Sequence, residues 1–346
     1  MISKIIEELK LPPLKSREEM LDIILKEEYG YIPPKPESLT FEVTENIIRN
    51  FCAGKAKANK IIAKGRVCGR EFSFPFYSVI PTNEGKYPFF VHVNFRDAIP
   101  DAYMPTEEII DNGFAVLSFC YKDVTDDNDD FTDKHAGVIN PDGKRDPSSA
   151  GKIALWTWAA HRVMDYAQTL DCLDLKNSVM CGHSRLGKTA LLTAATDERF
   201  AFAYSNDSGC SGAAIARKSG GETIKDICKS FGYWFCENYN KNIDKESEMP
   251  FDQHYLISVI APRCVCVGSA SLDEWANPKA EMLNCFASSE TYEKEGRVGF
   301  VAPDRFAEVG ECFFEGSIGY HLREGLHYFG REDWNKLIAF VNKHKN

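Results

Sequence analysis

The chain has no run of about 18 apolar residues, the length a helix needs to cross a bilayer, so no transmembrane helix is expected. Its 12 cysteines form no C-x-x-C pair and no zinc-type spacing, which argues against a structural metal or a redox dithiol. Cys120, Cys181, Cys264 and Cys266 fall in apolar runs, where cysteine acts as a small hydrophobe, so reduced thiols are expected. Positive charge is scarce: 41 Lys and Arg face 51 Asp and Glu, a net charge of −10. That balance disfavours nucleic acid and anionic membranes as partners. There is no internal repeat and no linker, so all 346 residues are read as one domain. The N-terminus lacks a long apolar core and a small-residue cleavage site, and carries Glu7 and Glu8. As written the protein is expected in the cytoplasm; a leader placed ahead of this sequence would make it secreted.

What is present is an ordered change of pattern. Residues 1–38 read as two short amphipathic helices and a Pro-rich turn, an N-terminal extension packed on the domain. Thr40–Thr44, Ile61–Val67 and Phe72–Ile80 alternate as antiparallel strands with one exposed face. From Phe89 onward, buried strands alternate with helices. Phe89–Val93, Phe114–Phe119, Ser178–Cys181, Phe202–Ser205 and Cys264–Val267 are the strands, and Ile153–Leu170 and Glu332–Lys343 are long helices. Antiparallel strands first and βα units after them give an α/β fold of the α/β-hydrolase kind, a mostly parallel sheet covered by helices.

Gly182-His183-Ser184-Arg185-Leu186-Gly187-Lys188-Thr189 sits between a predicted strand and a predicted helix. That is the setting of a nucleophile elbow, in which a sharp turn lifts a serine above the sheet at a helix N-terminus. The second glycine comes one position later than in G-x-S-x-G. Serine needs a base, and the base needs an orienting acid. In such hydrolases the chain order is Ser, acid, His. His321 lies inside the predicted strand Ile318–Leu322, whereas His327 lies in the loop after it, where catalytic groups belong, so His327 is the base. His254, at a predicted helix start, is read as structural. Asp207 and Asp273 both follow predicted strands, and either could accept the imidazole N–H. The Arg185 backbone N–H and the loop Asn94–Asp97 are the expected oxyanion donors, with the Arg185 side chain as a further cation. The acidic run Asp123–Asp130 matches no calcium loop and reads as a solvated loop rimming the cleft. No motif calls for a cofactor or a metal.

With these residues placed, the chain resembles the glucuronoyl esterases, carbohydrate esterase family 15, and bacterial relatives called acetyl xylan esterases. Gly182-His183-Ser184-Arg185-Leu186-Gly187-Lys188 is similar to the family's G-x-S-R-x-G-K elbow, which accounts for the late glycine. Asp197–Phe200, Ser208–Gly212, Trp234–Asn238, Pro250–His254 and Ala261–Arg263 look like family signatures in the same order. The likeness runs over about residues 85 to 345 and is densest from Trp156 to Asn277. It implies Ser184 as nucleophile, His327 as base, Arg185 at the oxyanion, and the acid at the position of Asp207 (often Glu) or of Asp273. It also implies that Lys188, Glu237 and Trp275 contact a uronic acid sugar. The chain departs from the family in having His183 where fungal members have cysteine, Asp at 207, and no visible leader. The implied substrate is a carbohydrate ester, from glucuronoxylan or a lignin–carbohydrate ester, cleaved through a glucuronoyl-enzyme intermediate. Removal of acetyl groups from xylo-oligosaccharides and a silent carbohydrate-binding role are the alternatives.

Overall fold

A computed structural model describes residues 1–217 and 220–345. Its frame is one mixed sheet of ten strands among the described residues, ordered β1-β2-β3-β5-β4-β6-β7-β8-β10-β9. The strands are β1 (Ser38–Thr44), β2 (Ala56–Val67), β3 (Arg70–Pro81), β4 (Tyr87–Asn94), β5 (Ala115–Cys120), β6 (Leu173–His183), β7 (Phe202–Asn206), β8 (Cys264–Ala270), β9 (Cys312–Phe313) and β10 (Ile318–Arg323). β1, β2 and β3 pair antiparallel, as their alternating faces predict, and β3 pairs antiparallel with β5 as well. From β5 through β4, β6, β7 and β8 to β10 every pairing is parallel, so all these strands point their C-terminal ends at one rim. Parallel pairing requires crossovers, and their helices cover both faces of the sheet. The β5 sequence AVLSFC is buried at all six positions, which is why it reads as a continuous apolar run.

The long helix Lys152–Ala167 packs on one face and is buried almost throughout, Trp156 and Trp158 included. The C-terminal helix Arg331–His344 packs on the other, with Trp334 among Phe90, Val179 and Tyr204. Met20 and Ile24 of the second N-terminal helix, Arg17–Ile24, join the main core. No disulfide joins any two of the twelve cysteines. Among the described residues no helix is long and apolar enough to cross a membrane.

The helix Pro278–Lys294 has no counterpart in the sequence reading. Its inward face carries Glu281, Asn284 and Ser288, all fully buried, so the apolar stripe that announces a helix is missing. The capping signal was there: the Asn277 side chain accepts from Ala280 N at 3.0 Å, with Pro278 in the first turn. Glu281 accepts from Gly209 N at 2.9 Å and Ser269 Oγ at 2.5 Å, which ties this helix to the loops after β7 and β8.

Among the described residues two glutamates are buried completely, Glu28 and Glu281. Burial pushes Glu28 up to about 8, against the hydrogen bonds from Gln253. It pushes Glu281 up to about 7, against Ser269 Oγ and Gly209 N–H. A folded-state pKa above the unfolded one means that the native protein holds the extra proton, so stability falls as pH rises from about 4.5 through these values. Melting curves of Glu28→Gln beside the wild type should therefore converge or cross in the variant's favour between pH 5.5 and 8.5. Parallel melting temperatures across that range would show that Glu28 does not titrate there.

Candidate active site

β6 ends at His183 and the next residue, Ser184, has φ 58° and ψ −128°. This is a strained conformation for a residue with a side chain, of the kind retained where a reactive group must be presented. Ser184 N donates to Asn206 O at 2.9 Å, which hangs the turn on β7. The two flanking glycines have separate steric reasons. A Cβ at Gly182 would stand 2.2 Å from Leu186 O, and one at Gly187 would stand 2.9 Å from Ser205 Oγ and 3.0 Å from Ser208 Cβ. The late glycine is thus the point where the helix Arg185–Thr196 passes the loop after β7.

His327, from the loop after β10, stands against the serine: Nε2 is 2.9 Å from Ser184 Oγ. Its Nδ1 is 2.6 Å from Asp273 Oδ2, in the loop after β8. The carboxylate is 5 % exposed, whereas the imidazole is 45 % exposed. Burial raises the Asp273 pKa, but the His327 hydrogen bond and charge and the Ala276 N–H outweigh it, so Asp273 lies below the ordinary carboxyl value. An ionised acceptor on Nδ1 leaves Nε2 free to take the serine proton. His321 is elsewhere. It is fully buried in β10 on Tyr204 Oη at 2.9 Å, and burial holds it well below the usual imidazole range. His254 bonds Pro12 O at 3.0 Å, a structural contact.

Asp207 does not orient the histidine, which corrects one of the two readings of the acid. Its Oδ2 accepts from Arg323 Nη2 at 3.0 Å, and Oδ1 has no hydrogen-bond partner among the described residues. Burial, with the charge of Glu281, pushes its carboxyl well above the ordinary range despite Arg323. Oxygens of Asp207 and Asp273 and a nitrogen of His327 lie within 4.8 Å of one another, close enough to share a cation. The His327–Asp273 hydrogen bond and the Arg323–Asp207 ion pair already engage all three of these groups.

Arg185 lies beside the serine with its guanidinium 4.5 Å from the Trp234 ring and 5.7 Å from that of Phe95. Asp127 holds it by an ion pair to Nη1, while Arg185 Nε is buried with no partner among the described residues. Asp127 also accepts from Trp234 Nε1 at 2.7 Å and Tyr121 Oη at 3.1 Å. This corrects the reading of Asp123–Asp130 as a solvated loop at Asp127, whereas Asn128, Asp129 and Asp130 are exposed as that reading expects. Asp127 is mostly covered against Arg185, and the backbone carbonyl of Asp130 accepts from the fully buried Lys152 at 2.5 Å. A run of acids looks solvated in sequence because its cationic partners are distant in the chain. Lys188 is buried, with Nζ donating to the carbonyls of Ser208 and Cys210, so it secures the loop beneath the site instead of standing open in it. Glu237 is exposed and Trp275 is 57 % exposed, next to the loop that carries Asp273. In the loop after β4, Arg96 N donates to Asn94 Oδ1 at 3.3 Å, and the Phe95 ring lies 6.1 Å from His183. A cavity of about 230 Å³ opens there, bordered by His327, His183, Phe95, Tyr103 and Phe329.

The family described as "Glucuronyl esterase, fungi" matches residues 66–296. A carbohydrate esterase, MZ0003, from an unknown prokaryotic organism is 42% identical over 194 residues, 56% of this chain and 44% of that protein. A 4-O-methyl-glucuronoyl methylesterase from Podospora anserina is 25% identical over 274 residues, 74% of this chain and 51% of that protein. The chain thus spans about half the length of these curated relatives. The solved glucuronoyl esterase from Solibacter usitatus superimposes with a TM-score of 0.83 at 28% identity, over 95% of this chain and 92% of that one.

Proposed function

Because this chain belongs to the glucuronoyl esterase family, carbohydrate esterase family 15, we propose that it is a serine esterase that hydrolyses esters of glucuronic acid, or of its 4-O-methyl form, carried on xylan-derived oligosaccharides. The observation that carries this reading is the relay Ser184 Oγ–His327 Nε2–Asp273 at 2.9 and 2.6 Å on the elbow of that family's fold.

His327 takes the Ser184 proton as Oγ attacks the ester carbonyl. Charge builds on the carbonyl oxygen beside the Arg185 backbone N–H and the unpartnered Arg185 Nε. Asp127 keeps the guanidinium from swinging into solvent. The C–O bond to the alcohol then breaks, and the alkoxide leaves with the proton from His327 Nε2. The leaving oxygen must lie within reach of that nitrogen, so the cavity bordered by His327 and Phe95 receives the alcohol. Water, deprotonated by the same imidazole, releases the glucuronate from Ser184. On the opposite side of β6, toward β8, exposed Trp275 offers a ring face to the sugar.

Benzyl glucuronate and 4-nitrophenyl acetate, assayed side by side, separate the ester classes. The expected result is efficient cleavage of the glucuronate and weak acetate turnover. Strong acetate turnover without glucuronate cleavage would move the assignment to a deacetylase, and silence on both would point to a binding role.

A further inference from the structure

His327 sits in a loop of seven residues, 324–330, that makes no regular structure between β10 and the C-terminal helix. A loop has no ladder of its own to fix a side chain, so something else must hold the imidazole where the serine needs it. The guanidinium of Arg323 lies inside this loop and is wholly buried. Nη1 donates to Glu324 O at 3.2 Å, and Nη2 donates to Leu326 O at 3.0 Å and to Tyr328 O. The carbonyls on both sides of His327 are thereby pinned to one rigid group. The Tyr328 ring closes over it at 3.8 Å. Gly325, at φ +118°, lets the chain wrap that closely: a Cβ there would stand 3.1 Å from Arg323 Nη1.

Arg323 is itself anchored twice. Asp207 Oδ2 takes Nη2 at 3.0 Å and Asp333 Oδ1 takes Nε at 2.7 Å. Asp333 also accepts from Asn206 Nδ2 at 3.1 Å. That contact fixes Asn206 Oδ1 toward His183, whose Nδ1–H donates to it at 2.8 Å. The His183 ring lies against that of His327 at 4.4 Å. Burial, then the charge of His327, hold His183 down to about 3, so it stays neutral beside the imidazolium that forms in turnover. His327 is therefore held through its backbone by Arg323 and against its ring by His183, and the two supports meet at Asp333.

We propose that Arg323 is the positioning residue of the catalytic histidine, and that Asp207, which could have served as the triad acid, serves instead as one of the two carboxyl anchors of Arg323. The inference rests on the serine-esterase reading above. Lysine cannot replace the arginine, because a single ammonium cannot span the fork of acceptors that a guanidinium reaches.

The test uses Arg323→Lys and Arg323→Met, each titrated with a fluorophosphonate to count reactive Ser184 and then assayed on benzyl glucuronate. The expected result is kcat per titrated site reduced by about tenfold to a hundredfold, as for a small misplacement of a catalytic group, with KM changed less than about twofold. The downfield Nδ1–H proton signal of His327 should broaden or vanish in both variants. Should Arg323→Met fail to fold, Arg323→Lys, which keeps the charge, carries the test. Unchanged kcat per titrated site, with fewer sites, would overturn the proposal by showing a purely structural role. A wild type that reacts with the fluorophosphonate but ignores the glucuronate would sink the substrate assignment instead, and the titration rate of the variants would still test the positioning.

Discussion

Ser184→Ala should lower kcat for benzyl glucuronate by about 10⁴- to 10⁶-fold, with KM and the melting temperature close to wild type. The loss is that large because the covalent path closes altogether; only oxyanion stabilisation and substrate binding remain, and those act on a much poorer nucleophile, water. It corresponds to about 5.5 to 8 kcal/mol of transition-state stabilisation. The hydroxyl is small and donates one hydrogen bond to the imidazole at 2.9 Å, so its removal leaves the packing intact. It even relieves nothing of the turn, since alanine at φ 58° is as constrained as serine. Rates within tenfold of wild type would place the nucleophile elsewhere.

Asp273→Asn should cost about 10⁴-fold in kcat, because an amide presents an N–H to Nδ1 and favours the tautomer that cannot accept the serine proton. Asp207→Asn should cost far less, on the order of the 1.5–3 kcal/mol of one hydrogen bond to a charged group, because Asp207 acts through Arg323 and Asp333 still holds that guanidinium. Kinetics of the two variants on the same ester make the comparison. The reverse order of losses would transfer the orienting role to Asp207. Equal, small losses in both would remove the acid from the mechanism. The difference expected here has a plain geometric source. Asp273 is 2.6 Å from the imidazole, whereas Asp207 is turned to an arginine that the chain places fully inside the protein.

How far the sequence speaks depends on whether a feature is local. The strands β4, β5, β7 and β8 announce themselves as apolar runs because both their faces are covered. The elbow is legible because strand, glycine turn and helix are neighbours in the chain, and each glycine marks a steric contact. Strand ends carry the loops, so His327 could be named, and Asp207 and Asp273 both offered as its acid, from position alone. The helix Pro278–Lys294 was not legible, because the residues on its buried face are polar and each is satisfied by a distant partner, such as Glu281 by Gly209 and Ser269.

The sequence by itself determined the mixed-to-parallel sheet, the serine on its elbow and the histidine in the last loop, since all three follow from patterns within one or two elements. The tertiary structure decided which acid serves the histidine, that Asp127 grips Arg185, that Lys188 turns inward, and that Arg323 clamps the histidine loop. The acid on the histidine, the partner of Arg185 and the Asp207 anchor of Arg323 join residues 54, 58 and 116 positions apart in the chain. They turn on a few tenths of an ångström and on burial. Which of two carboxylates meets an imidazole, and which meets a guanidinium, becomes fixed only when the strands that carry them are set side by side.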